Sequence, residues 1–240
     1  MREMHSTMSI NNEDSGRLES RPDTGSSELF RRLRGDILRG QLKPGTRLLF
    51  RMLQEDYQAG VSQLREALMR LASEELVVLE NNKGFRVAPV SPEELEDITQ
   101  VRCELEALAV RMAMEKGDVR WESKIVARHH ELSRLSPLGP EGSFSDEWNK
   151  ANEALHEALR AACGSPLLLG FCDLLSERYY RYRRLWAPHS SSDRQPAQEH
   201  EQIVNAVIAR DASTAIPLIK RHLTSTTQEL LANWSKVRVE

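Results

Sequence analysis

Several features that would place a protein in a familiar class are scarce or missing in this 240-residue sequence. Aromatic residues make up only 5% of it. Its longest apolar runs are a few residues, far short of the roughly 20 that span a bilayer, so no membrane partner is expected. The N-terminus has no apolar stretch of the secretory type, which points to a cytoplasmic protein. Three cysteines, Cys103, Cys163 and Cys172, are odd in number and widely spaced with no Cys-x-x-Cys pair. That excludes a disulfide framework or zinc ribbon and leaves free thiols in a reducing compartment. There is no Gly-x-Ser-x-Gly elbow, no His-Glu-x-x-His, no phosphate loop and no dinucleotide-type glycine pattern, so the common enzyme classes have no foothold. An excess of positive charge is missing too. Lys and Arg number 33 against 36 Asp and Glu, a formal net charge of -3, which by itself argues against a nucleic-acid partner.

The average conceals an asymmetry. Residues 27–90 hold 11 Lys and Arg against 8 Asp and Glu, while both flanking segments are net acidic. A small basic unit is thus joined to a larger acidic one. Residues 1–26, rich in Ser, Asn, Asp, Glu, Gly and Pro, read as a disordered tail. Apolar spacing then predicts helices over about 27–39, 51–57 and 62–74, the last with Leu64, Ala67, Leu68, Leu71 and Ala72 on one face. Two short β-rich runs, 76–79 and 85–88, flank Asn81-Asn82-Lys83-Gly84 and read as a hairpin. Three helices and a hairpin outline a winged helix-turn-helix. Ser91-Pro92-Glu93-Glu94 supplies a capping box with Pro at the first helical position. It opens a long helix over about 92–115, and helical patterns follow at about 118–134, 144–163, 166–186, 195–210 and 212–233. The fold class expected is mainly α: an N-terminal winged helix-turn-helix, 27–90, followed by an all-helical bundle, 91–235.

Particular residues sharpen this outline. Leu42-Lys43-Pro44-Gly45-Thr46-Arg47-Leu48, Leu64-Arg65-Glu66-Ala67-Leu68 and Gly84-Phe85-Arg86-Val87-Ala88-Pro89 resemble the GntR family of bacterial transcription regulators. The remainder resembles the family's FadR-type C-terminal ligand-binding (FCD) domain, through Val101-Arg102-x-x-Leu105-Glu106, Leu155-His156, Glu199-His200 and Arg221-His222-Leu223. Ala162-Cys163-Gly164-Ser165-Pro166, with Arg181-Tyr182-Arg183-Arg184-Leu185-Trp186, resembles the CsiR-type, glutarate-responsive branch.

A recognition helix fits the major groove and presents side chains to base edges. The outward positions of the third helix include Ser62, Gln63, Arg65 and Arg70. Arg65 suits guanine or a phosphate, and Gln63, standing where the family commonly has Pro, suits adenine or the backbone. The resemblance adds Arg51 at the start of the second helix. Lys83 at the hairpin tip, with Gly84 permitting the turn, reaches for the minor groove or a phosphate. One winged helix buries too little surface for specific binding, so a homodimer on a pseudo-palindromic double-stranded operator is expected.

In the bundle, His156, His200 and His222 lie at or beside buried faces of three different helices, as a bundle-core metal site requires. Three imidazoles with open positions suit a divalent ion such as Zn²⁺ or Ni²⁺, with a ligand carboxylate completing the shell. Asn152, one turn before His156, stands where most metal-binding members of the family carry Asp, so a neutral ligand replaces a charged one. A metal-free pocket that holds its ligand through the histidines and an Arg is the alternative. Arg102, among apolar positions of the long helix, is either paired internally with Glu106 or clamps an acid effector. The run 178–184 is too dense to face one way: part of it is expected to be a solvated face, with Tyr180 and Arg184 as candidate pocket residues. Basic groups and histidines favour a small carboxylate, which the branch resemblance sharpens to a dicarboxylate such as glutarate or 2-hydroxyglutarate. The function expected is a ligand-responsive repressor released by its effector. The competing reading is a metal-dependent hydrolase using His156, His200 and His222.

Overall fold

The computed structural model describes residues 25–139, 145–186 and 195–234. Among them are nine α-helices and one small sheet. Helices α1 (Gly25–Leu38), α2 (Phe50–Tyr57) and α3 (Val61–Ser73) precede the strands β2 (Val77–Glu80) and β3 (Gly84–Val87), with a two-residue β1 (Arg47–Leu48) between α1 and α2. The remaining helices are α4 (Pro92–Lys116), α5 (Val119–Ser133), α6 (Asp146–Arg160), α7 (Pro166–Trp186), α8 (Pro196–Ile208) and α9 (Ala212–Ala232). The expected fold class, a winged helix followed by a helical bundle, is borne out.

The N-terminal unit closes around an apolar core that includes Leu29, Leu33, Leu53, Leu64, Leu68, Leu71, Phe85 and Val87. Leu64, Ala67, Leu68 and Leu71 are all fully buried, at the spacing that gives α3 its one apolar face. The hairpin pairs Leu79 with Phe85 and Glu80 with Gly84. Gly84 turns the chain at φ +83°, a conformation that costs a residue with a Cβ. The strand β1 was not anticipated. It adds to β3 in the order β1-β3-β2 and pairs Leu48 with Phe85; two residues are too few to leave a periodic signal. Helix α1 begins at Gly25, two residues before the expected boundary, and Ser26 is buried within it. The rest of the expected tail, 1–24, and residues 140–144 and 187–194 lie outside the described residues.

In the second unit α4 is the spine, starting where Ser91 Oγ accepts from the Glu94 N–H at 3.1 Å with Pro92 at the first helical position. It packs on α6, α7 and α9 over a core that includes Val110, Trp121, Leu155, Leu159, Ile203, Val207, Ile219 and Leu223. The helix expected over 144–163 is shorter. α6 tightens into a 3-10 turn at Ala161–Cys163 and ends at Gly164, φ +72°, which lets the chain reverse into α7.

Although only Ala88-Pro89-Val90-Ser91 separates β3 from α4, the two units are tied together through α7. Arg181 Nη2 donates to the Ala88 carbonyl at 2.8 Å, Arg184 Nε to the Arg39 carbonyl at 2.6 Å, and Arg178 pairs with Glu75. Arg34 reaches from α1 to Glu177 on α7 and to Glu74 at 2.7 Å. The run 178–184 indeed faces more than one way: Tyr179, Arg181 and Tyr182 are buried, and Arg178, Arg181 and Arg184 grip the N-terminal unit.

Candidate functional site

On the N-terminal unit, Arg51, Ser62, Gln63, Arg65, Arg70, Lys83 and Gly84 are all exposed. Two are more constrained than their exposure suggests. The Gln63 side-chain oxygen accepts the Gly60 N–H at 3.0 Å and so caps the start of α3. The Arg70 guanidinium lies over the Phe30 ring, 4.0 Å from its centroid. Arg65 is more loosely placed over Phe50 at 5.7 Å, and Arg51 is almost wholly exposed, 3.6 Å from Glu55. Arg65, Ser62 and Arg51 thus present the least committed polar groups of the helix-turn-helix.

In the bundle, α6, α8 and α9 bring His156, His200 and His222 together. All three are buried, and one ligating atom from each lies within 4.8 Å of the others. Ring centroids are 4.6 Å apart for His200 and His222 and 5.3 Å for His156 and His222. Burial, then the neighbouring His222 and Arg102, hold the His156 imidazole well below its usual range, in the neutral form that can donate a lone pair. His222 Nδ1 is 2.7 Å from the Glu199 carboxylate. A carboxylate at Nδ1 favours the tautomer with its proton there, the usual arrangement of a metal-bound histidine. Glu199 is a partner the sequence reading left unassigned, though its place directly before His200 was in view.

Asn152 and Arg102 both border this cluster, and each is buried with a polar atom, Oδ1 and Nε respectively, that has no hydrogen-bond partner. Arg102 lies 5.0 Å over the Tyr179 ring with its Nε 3.7 Å from Glu106, too long for a hydrogen bond. The reason is Arg160, which sequence reasoning missed. It is fully buried and takes Glu106 at 3.0 Å and Asp173 at 2.8 Å. Despite the burial that works against its charge, these carboxylates hold Arg160 above its usual range. Its only sequence signal was a basic residue in the last turn of a helix, which reads as an ordinary solvated position. Of the two readings of Arg102, the pair with Glu106 is present only as a loose contact, and the guanidinium keeps donors on the wall of the cavity.

Three buried imidazoles, one of them held neutral, and an unpartnered amide oxygen fit a divalent ion of the zinc or nickel type. The cavity beside them has a volume of about 20 Å³, room for a single water in this conformation. Tyr180 lines it as expected, but the arginine beside it on the wall is Arg183; Arg184 does not border the cavity. The Tyr180 hydroxyl lies 3.2 Å from Asp146, and Arg184 also donates to Asp146. Arg184 thus belongs to the contact with the N-terminal unit, and Tyr180 to the cavity wall.

These features define a DNA-reading winged helix fused to a helical ligand-binding domain. Residues 26–87 match the model of bacterial regulatory proteins of the gntR family, and residues 97–225 match the FCD domain. The chain belongs to this family and is a bacterial transcription regulator of the GntR type with an FCD domain. It is 36% identical over 198 residues to the HTH-type transcriptional repressor GlaR of Escherichia coli K12, covering 81% of this chain and 90% of that one. It is 35% identical over 199 residues to the uncharacterized HTH-type transcriptional regulator BphR of Paraburkholderia xenovorans, covering 82% and 81%. The solved structure of E. coli McbR/YncC shares the fold, with a TM-score of 0.71 at 20% identity over 88% of this chain and 99% of that one. No helix among the described residues is long and apolar enough to cross a membrane.

Proposed function

We propose that the protein is a cytoplasmic repressor in which a metal-bearing histidine site receives a small carboxylate and thereby controls DNA binding by a homodimer. The observation that carries this reading is the buried His156, His200 and His222 cluster beside an Arg102 whose Nε has no hydrogen-bond partner. A buried cation without a full partner is costly, and an anionic ligand relieves that cost. A divalent ion at the histidines, with Asn152 as a neutral further ligand, supplies positive charge and an open coordination position for the carboxylate. Arg102 offers the second contact, and Tyr180 contacts the ligand's outer end. Glutarate and 2-hydroxyglutarate are the first candidates, in line with the CsiR-type resemblance of residues 162–166 and 181–186.

The reader, residues 27–90, contacts an operator half-site through Arg51, Ser62, Gln63, Arg65, Arg70, Lys83 and Gly84. The helical domain, 91–235, pairs with a second copy. Support for that pairing comes from the exposed apolar stripe Leu167, Phe171 and Leu174 on α7, with Val101 and Leu108 on α4. Because Arg184 joins Asp146, at the start of α6, to the Arg39 carbonyl of the reader, a ligand that moves α6 or α7 shifts the balance between docked and undocked readers. The hydrolase reading draws no support from relatives named as transcription regulators.

A gel shift on DNA upstream of the protein's own gene tests this, with zinc-loaded protein and rising glutarate. A specific complex that glutarate dissociates is expected. A complex that survives saturating glutarate and 2-hydroxyglutarate removes the proposed effector, and no specific complex at all removes the operator.

A further inference from the structure

One outer face of the helical domain is complementary to itself. On α4, Asp97, Val101, Glu104, Leu108 and Arg111 recur every three or four residues and all are exposed, so they share one outward stripe. On α7, Leu167, Phe171 and Leu174 form a second exposed stripe at the same spacing. The two helices lie side by side and antiparallel. Leu95 and Ile98 cluster with Tyr179 and Tyr182 at one end, and Lys116 Nζ donates to the Cys163 carbonyl at 2.8 Å at the other. Arg160, bonded to Glu106 at 3.0 Å and to Asp173 at 2.8 Å, joins the middle of α4 to the middle of α7. Residues 104–106 of α4 thus stand beside 172–174 of α7. Within the α4 stripe, Glu104 is answered by Lys220 of α9 at 2.6 Å, whereas Asp97 and Arg111 form no ion pair among the described residues.

We propose that α4 and α7 together form a seam with a second copy of this chain, about a two-fold axis level with Glu104 and Leu105. The seam rests on the homodimer read above and adds where its axis lies and which groups meet across it. Val101 and Leu108 straddle that level on α4, and Asp97 and Arg111 lie farther out on either side. An antiparallel copy therefore sets Val101 against the partner's Leu108 and Asp97 against the partner's Arg111, each contact made twice. The same axis crosses α7 near Cys172 and Asp173 and sets Phe171 against the partner's Leu174. A single axis thus covers apolar groups of both helices and pairs the two charges that the chain itself leaves unanswered. An unrelated partner has no reason to match that symmetry. Arg102, next to Val101, lines the histidine cavity from the inner side of α4, so the anion contact and the seam share one helical turn.

Sedimentation equilibrium of the full-length protein and its charge-reversal variants tests the seam. Asp97→Arg and Arg111→Asp each set like charges against one another twice, and each alone is expected to weaken dimerisation about tenfold. Mixed in equal amounts, the two variants form a heterodimer in which both pairs are again opposite in sign. Dimerisation of the mixture is expected to return to within about twofold of wild type. Leu108→Glu is expected to be monomeric where wild type is dimeric, with unchanged far-ultraviolet circular dichroism. Val126→Glu, a matched change at an exposed position of α5, is expected to stay dimeric. A wild type that is monomeric at every concentration overturns the homodimer and the seam together. With a dimeric wild type, three results overturn the seam alone: single reversals that dimerise as wild type does, a mixture no tighter than either variant, or Val126→Glu dissociating as Leu108→Glu does.

Discussion

The two units of this protein keep their charge in opposite places. In the winged helix the buried side chains are apolar apart from Ser26 and Tyr57, and the candidate DNA-contacting side chains stand outside the core. In the helical domain Arg102, Glu106, Asn152, His156, Arg160, His200 and His222 are buried among the packed helices. A reader of DNA needs its polar groups on a convex surface, where a duplex can meet them. A receptor for a small anion needs them where water is excluded and a charge is strongly felt. The difference has an energetic corollary: in the reader function and stability are separable, and in the bundle they are not.

The largest test of that contrast is Arg160→Ala. It leaves Glu106 buried without its main partner and is expected to cost about 3–5 kcal/mol, readable by urea denaturation. The matched change on the reader, Arg65→Ala, is expected to alter stability by less than about 0.5 kcal/mol. It should nonetheless weaken operator binding by about 1–3 kcal/mol. A comparable loss of stability in both variants would erase the distinction.

Metal removal comes next. Holding the ion at about one hundred times its Kd stabilises the folded state by about 2.7 kcal/mol, so chelation is expected to lower the melting midpoint of the bundle. Asn152→Asp, which restores a charged ligand beside His156, should tighten zinc binding and deepen that drop. Equal midpoints with and without chelator would leave the histidines as a packing device.

How far these features were legible in the sequence follows from the same contrast. The reader's pattern survives in sequence because its core is made by apolar spacing alone: Leu64, Ala67, Leu68 and Leu71 mark α3 without any knowledge of its neighbours. The three histidines were legible as sitting on buried faces of separate helices. Their mutual approach was not, since it depends on how α6, α8 and α9 cross. Arg160 was missed for a related reason. A last-turn arginine gives no local sign of burial, and its three carboxylates come from α4, α6 and α7. The grip of the Arg178–Arg184 run on the reader was not legible, because the docking of α7 joins segments about a hundred residues apart, as in Arg178 with Glu75.

A smaller effect concerns alkaline pH. Burial, and next the charge of Glu106, push the Cys172 thiol up to about 12. In the unfolded chain a thiol ionises near about 8.5, so above that pH the unfolded state releases a proton that the native state retains. Stability from this group is full below the unfolded value and falls as pH rises from there toward 12. Melting midpoints are expected to decline across that window, less so in Cys172→Ala, and native Cys172 should resist iodoacetamide at pH 8. Smallest of all should be Arg178→Ala. Its contact with the exposed Glu75 is worth about 0.2–1 kcal/mol, so melting should barely move.

The most direct test of control of the reader by the charged core is fluorescence anisotropy on labelled upstream DNA. Zinc-loaded wild type and Arg102→Ala are titrated with and without glutarate. The expected result is a change in DNA affinity of about 5- to 150-fold with glutarate in the wild type, and none in Arg102→Ala. A glutarate effect of equal size in both proteins, or DNA affinity indifferent to glutarate in the wild type, would contradict it.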